Sequence, residues 1–436
     1  MSGLVLLIGL PYQDKRLQTT PETVVARRES KGGMAMKRLL SIVLLLAVAL
    51  TLHCGKKPEQ IKVGILLPLT GPQAITGLKI KNGYEVAVDE INSRGGIASL
   101  RGAKITLVYG DTEGKPDVGE SETRRLIEKK GVCAIVGCFQ SSVATATTAL
   151  AERLRTPYVV DNPMADEITE RGFAYVFRIT AKSSWMARDQ MRFLKDIGAK
   201  TGKNVATIAL LYEDTDFGQS NAKGQRESAA EFGYRVVADF SYSSQTSDIT
   251  STIVKIKRIN PDVILATSYD TDAVLIVSTM AQLKYKPTLG FVGSTGGYIN
   301  PHFVSAAGAL SEHVLTSSLW NQDLKKPGAR EFYDRYKRRF GEDPVPQDAI
   351  AYAAIYVLRN ALEQSRSTDR DKIRDALAKT EIRSGPADIL PYDVIHFDSS
   401  GQNMDVSLVM VQIIGGQYVT VWPFDVASEN AIWPTR

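Results

Sequence analysis

IKVGILLPLTGPQAITGLKIKNGYEVAVDEINSRGGI, residues 61–97, decides the fold. Ile61 to Leu67 is an apolar run with β-branched residues that stops at Pro68, long enough for a buried strand and too short for a helix. The period then changes. Ile80, Tyr84, Ala87, Val88 and Ile91 recur at helical spacing, Lys79, Lys81, Asp89 and Asn92 fall elsewhere, and Gly95-Gly96 supply the positive φ that ends a helix. A buried strand feeding a helix through a polar turn opens an α/β sheet. Such sheets take ligands at the carboxyl ends of their strands, which here means the turn from Thr70 to Gly77.

Outward from this unit the same alternation continues. KITLVY (104–109) is a second strand, 116–130 a helix with a charged face, 133–136 a third strand and 143–154 a third helix; PYVVD (157–161) and YVFRI (175–179) are further short strands. From Asn204 the pattern starts afresh with VATIALLYED (205–214), Thr215-Asp216-Phe217-Gly218 and a long helix to Gly233. Strands at 234–240, 262–267 and 288–293 then alternate with helices at 248–259 and 273–283, which predicts a second α/β domain of similar size. A charged helix at 327–340 and an apolar-rich one at 347–364 follow, and the chain ends in alternating strands around a Gly415-Gly416 turn.

At 436 residues, two domains are expected. Much of the net charge of +5 sits in Arg27, Arg28, Lys31, Lys37 and Arg38, ahead of the first strand, so the rest is near neutral and nucleic acid is not an expected partner. Cys133 and Cys138 lie in one strand-like run, their Cα atoms ~16 Å apart, so they do not pair and read as buried thiols. Residues 37–54 have the three parts of an export signal: Lys37-Arg38, an apolar run from Leu39 to Leu52, then His53-Cys54. That run makes ~21 Å of helix, short of the ~30 Å hydrocarbon core. Cys54 is placed like the lipid-modified cysteine of a bacterial lipoprotein, although His53 and Thr51 stand where a small residue and a leucine are usual. Lipidation at Cys54, plain cleavage and an uncleaved anchor remain open. Met34 and Met36 each start an ordinary signal, and residues 1–36 read as a misassigned upstream extension.

Catalytic motifs are missing. There is no GxxxxGK[ST], no GxGxxG after a strand, and the histidines (His53, His302, His313, His396) have no metal-ligand spacing. Gly218-Gln219-Ser220-Asn221-Ala222 follows a strand like a nucleophile elbow but lacks the second glycine. Neither an enzyme nor a cofactor or metal site is expected. More informative is Gly137-Cys138-Phe139-Gln140-Ser141-Ser142, between a strand and a helix. Its hydroxyls suit a helix cap, and its free N–H groups and the helix dipole suit a carboxylate; Ser141 is suited to both roles. Asp161-Asn162-Pro163-Met164 ends the next strand on the same sheet edge, so the two loops form a pocket wall.

Taken together, GILLPLTGP, EINSRGGI, VYGDTEGKPDVG, AIVGCFQSS, ITERGFAYVFRIT, LLYEDTDFG and HFDSSGQ make the chain from Ile61 to about Pro423 resemble the type I periplasmic binding proteins, in particular the branched-chain amino-acid (leucine/isoleucine/valine) receptors of ABC importers. The resemblance implies two Rossmann-like α/β lobes with parallel sheets, joined by a three-strand hinge: residues 61–182 plus 318–395, and 183–317 plus 396–436. It implies a monomeric extracytoplasmic receptor, a small-molecule solute in the cleft and a permease as partner. A ligand-sensing module that signals to a membrane partner is the alternative.

Carried over by position, the resemblance puts the ligand carboxylate at Ser141, with Ser142 beside it, and the following loop at Asn162 and Met164. Ser183 and Thr295 stand where amino-acid receptors have acids for the ammonium, and Thr76, Phe217 and Thr271 stand at aromatic positions. Losing both acids leaves a buried ammonium without counter-charge, a cost of several kcal/mol. Asp270 and Asp272 are candidates to restore the charge, and Trp185 and Tyr269 to stack on a flat ligand. The expected ligand is a small carboxylate, an amino acid or aromatic acid first and an amide or urea-like solute second.

Overall fold

The opening strand, β1 (Ile61–Leu67), is the second strand of a five-stranded parallel sheet ordered β2 (Ile105–Asp111), β1, β3 (Ala134–Gly137), β4 (Tyr158–Val160), β5 (Val176–Arg178). The computed structural model describes residues 60–435; the upstream extension, the export segment and Cys54 lie outside the described residues. Ile61, Val63, Ile65 and Leu67 pack with Ile80 and Tyr84 of the Ala74–Ser93 helix, whereas Leu66 faces Leu126, Val143 and Ala144 on the other side. Burial on both faces is why this strand reads as a continuous apolar run.

The Pro346–Ser365 helix returns to this sheet from far along the chain and lies against the Ala74–Ser93 helix. Contact is closest at Gly83, where a Cβ would stand 2.3 Å from the Asp348 carbonyl, so a side chain there would force the helices apart. Ala349 through Leu358 are all buried, which accounts for a helix apolar nearly all round.

A seven-stranded sheet is built from β6 (Thr207–Glu213), β7 (Arg235–Tyr242), β8 (Val263–Thr267), β9 (Gly290–Gly293), β10 (Leu315–Ser318), β13 (Val409–Ile414) and β14 (Gln417–Trp422), while β11 (Glu381–Ile382) and β12 (Ile395–His396) pair separately. Its order is β14-β13-β10-β9-β8-β6-β7, parallel from β7 to β10 and antiparallel at β10–β13 and β13–β14. At this edge the expected Gly415-Gly416 turn makes the last pair a hairpin. Helices 183–201 and 216–232 cover one face and 250–259 and 270–282 the other. The chain passes between the sheets after β5, after β10 and after β12.

Cys133 and Cys138 flank β3, both buried and free. Among the described residues, no helix is long and apolar enough to cross a membrane.

Candidate functional site

The carboxyl edges of the five-stranded sheet and of the parallel strands of the seven-stranded sheet converge on a small cavity. The loop after β3 contributes Phe139 and Ser141, and the loop after β4 contributes Asn162, Pro163 and Met164. From the second sheet, the exit of β6 gives Phe217, that of β8 gives Tyr269, and that of β9 gives Thr295 and Gly296. Leu319, Pro346, Gln347 and Ile350 complete the lining. Strand ends of this kind are the usual ligand edge of α/β sheets.

Ser141 opens the Ser141–Arg153 helix and is 1% exposed. It does not cap that helix, as the sequence suggested; its Oγ accepts instead from the backbone N–H of Met164 (3.3 Å) and Ala165 (3.2 Å). Two accepted bonds fill its lone pairs and leave its own proton to donate. The same loop is held from behind by Arg178, which is fully buried and donates Nη1 to the Ala165 carbonyl (2.6 Å), Nη2 to Thr169 (2.8 Å) and Nε to Gln402 (2.7 Å). Burial lowers this guanidinium only to about 10, so it stays a cation at neutral pH. Its one signal in the sequence is a charge inside the apolar run YVFRI, and sequence reasoning passed over it. Asp161, also fully buried, accepts from the Tyr84 hydroxyl and from Asn162 N–H (2.7 Å), and burial pushes its carboxyl up to about 7.

The opposite wall is aromatic. Tyr269 stands 5.6 Å from Phe139, edge to face, and 5.6 Å from Phe217. Phe217 is placed by Glu213 at the end of β6, whose buried carboxylate accepts from the N–H of Thr215 (2.6 Å) and Gly218 (2.6 Å) and so anchors the start of the Asp216–Phe232 helix. Gly296 has φ +51° and a Cβ there would meet the Ser268 carbonyl at 2.4 Å, so this turn accepts only glycine.

Six expected residues therefore come together: Ser141, Asn162, Met164, Phe217, Tyr269 and Thr295. The others are placed elsewhere. Ser142 is half-buried one step along the helix, Ser183 backs the loop by donating its N–H to the Met164 carbonyl (2.8 Å), Trp185 is half-buried beside Lys182, and Thr271 is exposed. Thr76 and Asp270 meet each other: the Thr76 hydroxyl donates to Asp270 (2.8 Å), which also accepts from the Asn300 amide. Asp272 accepts from the Tyr242 hydroxyl and is pushed up to about 7 by burial. Neither Asp270 nor Asp272 lines the cavity, which corrects the expectation that one of them restores a counter-charge there; both sit in the first turn of the Asp270–Gln282 helix with protein donors of their own.

Phe139, Pro163, Leu319, Pro346, Gln347 and Ile350 line the cavity without having been expected as site residues. A polar residue opening an otherwise apolar helix is the only sequence signal for Gln347. None of the described side chains lining the cavity is charged. Asn162 Nδ2 and Gln347 Oε1 are closed off from solvent without a hydrogen-bond partner. Among the described residues, no group of His, Cys, Asp and Glu is placed to hold a metal ion.

Two α/β sheets that turn their carboxyl edges toward one cavity, with three chain crossings between them, define a two-lobed solute receptor. The chain belongs to the periplasmic binding protein family, which it matches over residues 60–417. It is similar to Leu/Ile/Val-binding protein homolog 7 of Brucella suis, 33% identical over 404 residues that cover 90% of this chain and 98% of the relative. Homolog 8 of Brucella melitensis is 32% identical, covering 84% of this chain and 92% of the relative. Among solved structures, the chain resembles the leucine binding protein LivK of Thermotoga maritima (TM-score 0.74, 23% identity, 83% of this chain and 97% of that one). It also resembles the branched-chain amino acid transporter substrate binding protein LivJ of Streptococcus pneumoniae in complex with isoleucine (TM-score 0.72, 25% identity, 83% and 98%). The protein is thus an extracytoplasmic solute-binding receptor of the ABC-importer type.

Proposed function

We propose that this receptor captures a small carboxylate with an apolar or aromatic body and without an ammonium group, and hands it to an ABC permease. One observation carries the reading: a cavity with no charged lining side chain in which Ser141 has only a proton left to give. The carboxylate accepts from Ser141 Oγ–H at the positive end of the Ser141–Arg153 helix, and Phe139, Phe217 and Tyr269 enclose the body. Residues 61–182 plus 318–403 form one lobe, since Gln402 and Asn403 bond to Arg178 of the first sheet and so move the expected boundary at 395, and 183–317 plus 409–436 form the other; their closure around the ligand is what the permease reads. No bond is made or broken in this cycle. The receptor acts as a monomer, exported by residues 37–54 and tethered to the membrane through a lipid on Cys54. Mass spectrometry of the membrane-extracted chain tests the tether, which an unmodified Cys54 removes.

The identity of the ligand is tested by denaturing receptor purified without added solute and identifying what it releases. Ser141→Ala is expected to weaken a carboxylate ligand by roughly 1–3 kcal/mol in calorimetry. Unchanged affinity counts against the placement. A second reading, a branched-chain amino acid, is favoured by the names of the relatives at about a third identity. It requires the ammonium to bind without a carboxylate in the cavity, and release of leucine, isoleucine or valine from the purified receptor would establish it.

A further inference from the structure

We propose that the amino edge of the first sheet is a membrane-facing surface that seats the receptor on anionic phospholipid headgroups. The chain enters the fold at this edge, where β1 begins at Ile61. Seven residue steps separate Cys54 from Ile61, so the chain between them reaches at most ~25 Å, and it carries Lys56 and Lys57. The same edge gathers cations from distant stretches. Lys62 of β1 donates Nζ to the Lys130 carbonyl (3.4 Å), ahead of β3. Arg370 ties the start of the Arg370–Leu377 helix, and with it Lys372, to the carbonyls of Ile127 (3.2 Å) and Val132 (2.9 Å), on either side of Lys129 and Lys130. Glu363, near the end of the Pro346–Ser365 helix, accepts from the N–H of Ala98 (2.9 Å) and Ser99 (2.8 Å), which brings the turns carrying Arg366 and Arg101 together.

Lys62, Arg101, Lys129, Lys130, Arg366 and Lys372 are exposed and form no ion pair among the described residues. The acids nearby are engaged: Glu128 with Arg124, Glu363 with Arg359 and Asp371 with Arg155, while Asp369 caps the Arg370–Leu377 helix through the Lys372 N–H (3.0 Å). Beyond residue 54 the chain is near neutral, so the excess is local and not the mark of a basic protein. Helix dipoles account for Lys129, in a last turn, but not for Lys62 on a strand or for Lys372 in a first turn, where a cation is disfavoured. An exposed positive surface where a tether enters is what an anionic bilayer attracts, each Lys or Arg within a Debye length of it (~10 Å at 0.1 M salt) adding to the binding. Seated there, the receptor holds its cavity at the far, carboxyl ends of the same strands. The inference rests on the tether reading for the nearness of the membrane, and its test omits the lipid so that the two fail separately.

The test sediments the exported receptor, without lipid, with vesicles of phosphatidylcholine alone or with about a third phosphatidylglycerol, at low salt. Wild type is expected to bind the anionic vesicles at least ~tenfold more tightly than the neutral ones, and the gain to vanish at ~0.5 M salt. The triple variant Lys129→Glu, Lys130→Glu, Lys372→Glu is expected to lose about tenfold of that binding. The triple variant Lys203→Glu, Arg258→Glu, Lys286→Glu takes exposed cations from the amino edge of the second sheet instead, and is expected to keep the binding within about threefold. No preference for anionic vesicles in the wild type, or equal losses in the two variants, overturns the proposal. In each of these cases a lipid found on Cys54 by mass spectrometry leaves the tether reading standing, and an unmodified Cys54 removes the tether without touching the vesicle result. Melting curves establish that the variants are folded; if the first is not, Lys129→Gln, Lys130→Gln, Lys372→Gln removes the same charges without reversing them and gives the same comparison.

Discussion

Two neighbouring places where distant parts of the chain meet are built on opposite rules. At the cavity the lining is neutral, and polar atoms of Asn162 and Gln347 lack partners. At the contact between Thr76, Asp270 and Asn300 a buried carboxylate has a donor for each oxygen, from residues 194 and 30 positions away. Complete pairing is what a contact needs if it is to hold two elements together. The family resemblance would have placed charge in the cavity, yet here the charge sits in the contact and the cavity does without it.

The comparison breaks first at its charged end. Asp270→Ala leaves the Thr76 hydroxyl and the Asn300 amide buried without their acceptor, and is expected to cost roughly 2–4 kcal/mol in urea unfolding. A loss under about 0.5 kcal/mol, the usual range for surface positions, would mean that the contact holds nothing.

A pH series comes next. Burial holds Asp161 and Asp272 near about 7 and Asp348 near about 8. Their folded values lie above the unfolded ones, so the folded state holds more protons between pH ~4 and ~8, and the stability they contribute is lost as pH rises through that window. Carboxylates held low, such as Asp239 beside Arg226, act with the opposite sign but only as pH falls below ~4. The melting temperature is therefore expected to drop by roughly 2–4 °C from pH 5 to pH 8. Asp161→Asn flattens part of the slope, and an unchanged slope in that variant would free Asp161 from the account.

Smaller effects sharpen the same contrast. Thr76→Val removes one donor to Asp270 without touching the cavity and is expected to weaken ligand binding by about 1 kcal/mol through closure alone, read by calorimetry. Thr271→Ala, at an exposed position beside Asp270, should change affinity by less than about 0.5 kcal/mol. A large loss there would move the site away from the cavity.

Much of the scaffold was legible in the sequence because its signals are local. The strand-turn-helix unit from Ile61 to Ile97, the fresh start after Asn204 and the Gly415-Gly416 hairpin each follow from the period and punctuation of a short stretch. Ser141, Asn162 and Tyr269 could be placed near the cavity from sequence because each sits where a strand hands over to a loop, whereas Phe217 was named only through the family resemblance. Gln347 and Leu319 could not be placed there, since only the return of the Pro346–Ser365 helix to the first sheet brings that region to the cavity, and no pattern within the helix announces it. Asp270 misled for a related reason: a carboxylate at a strand end looks available until Thr76 and Asn300 are seen to occupy it. Arg178 reads as a strand residue, and its grip on the loop carrying Asn162 depends on Gln402, far later in the chain.

The central claim is that the cavity holds a carboxylate and offers no counter-charge to an ammonium. Calorimetric titration of the exported receptor with 3-phenylpropanoate and phenylalanine tests it directly, since the two share a skeleton and differ by the ammonium group. The account predicts that 3-phenylpropanoate binds at least tenfold tighter, an uncompensated buried charge costing several kcal/mol. Phenylalanine binding as tightly as 3-phenylpropanoate, or more tightly, would contradict it.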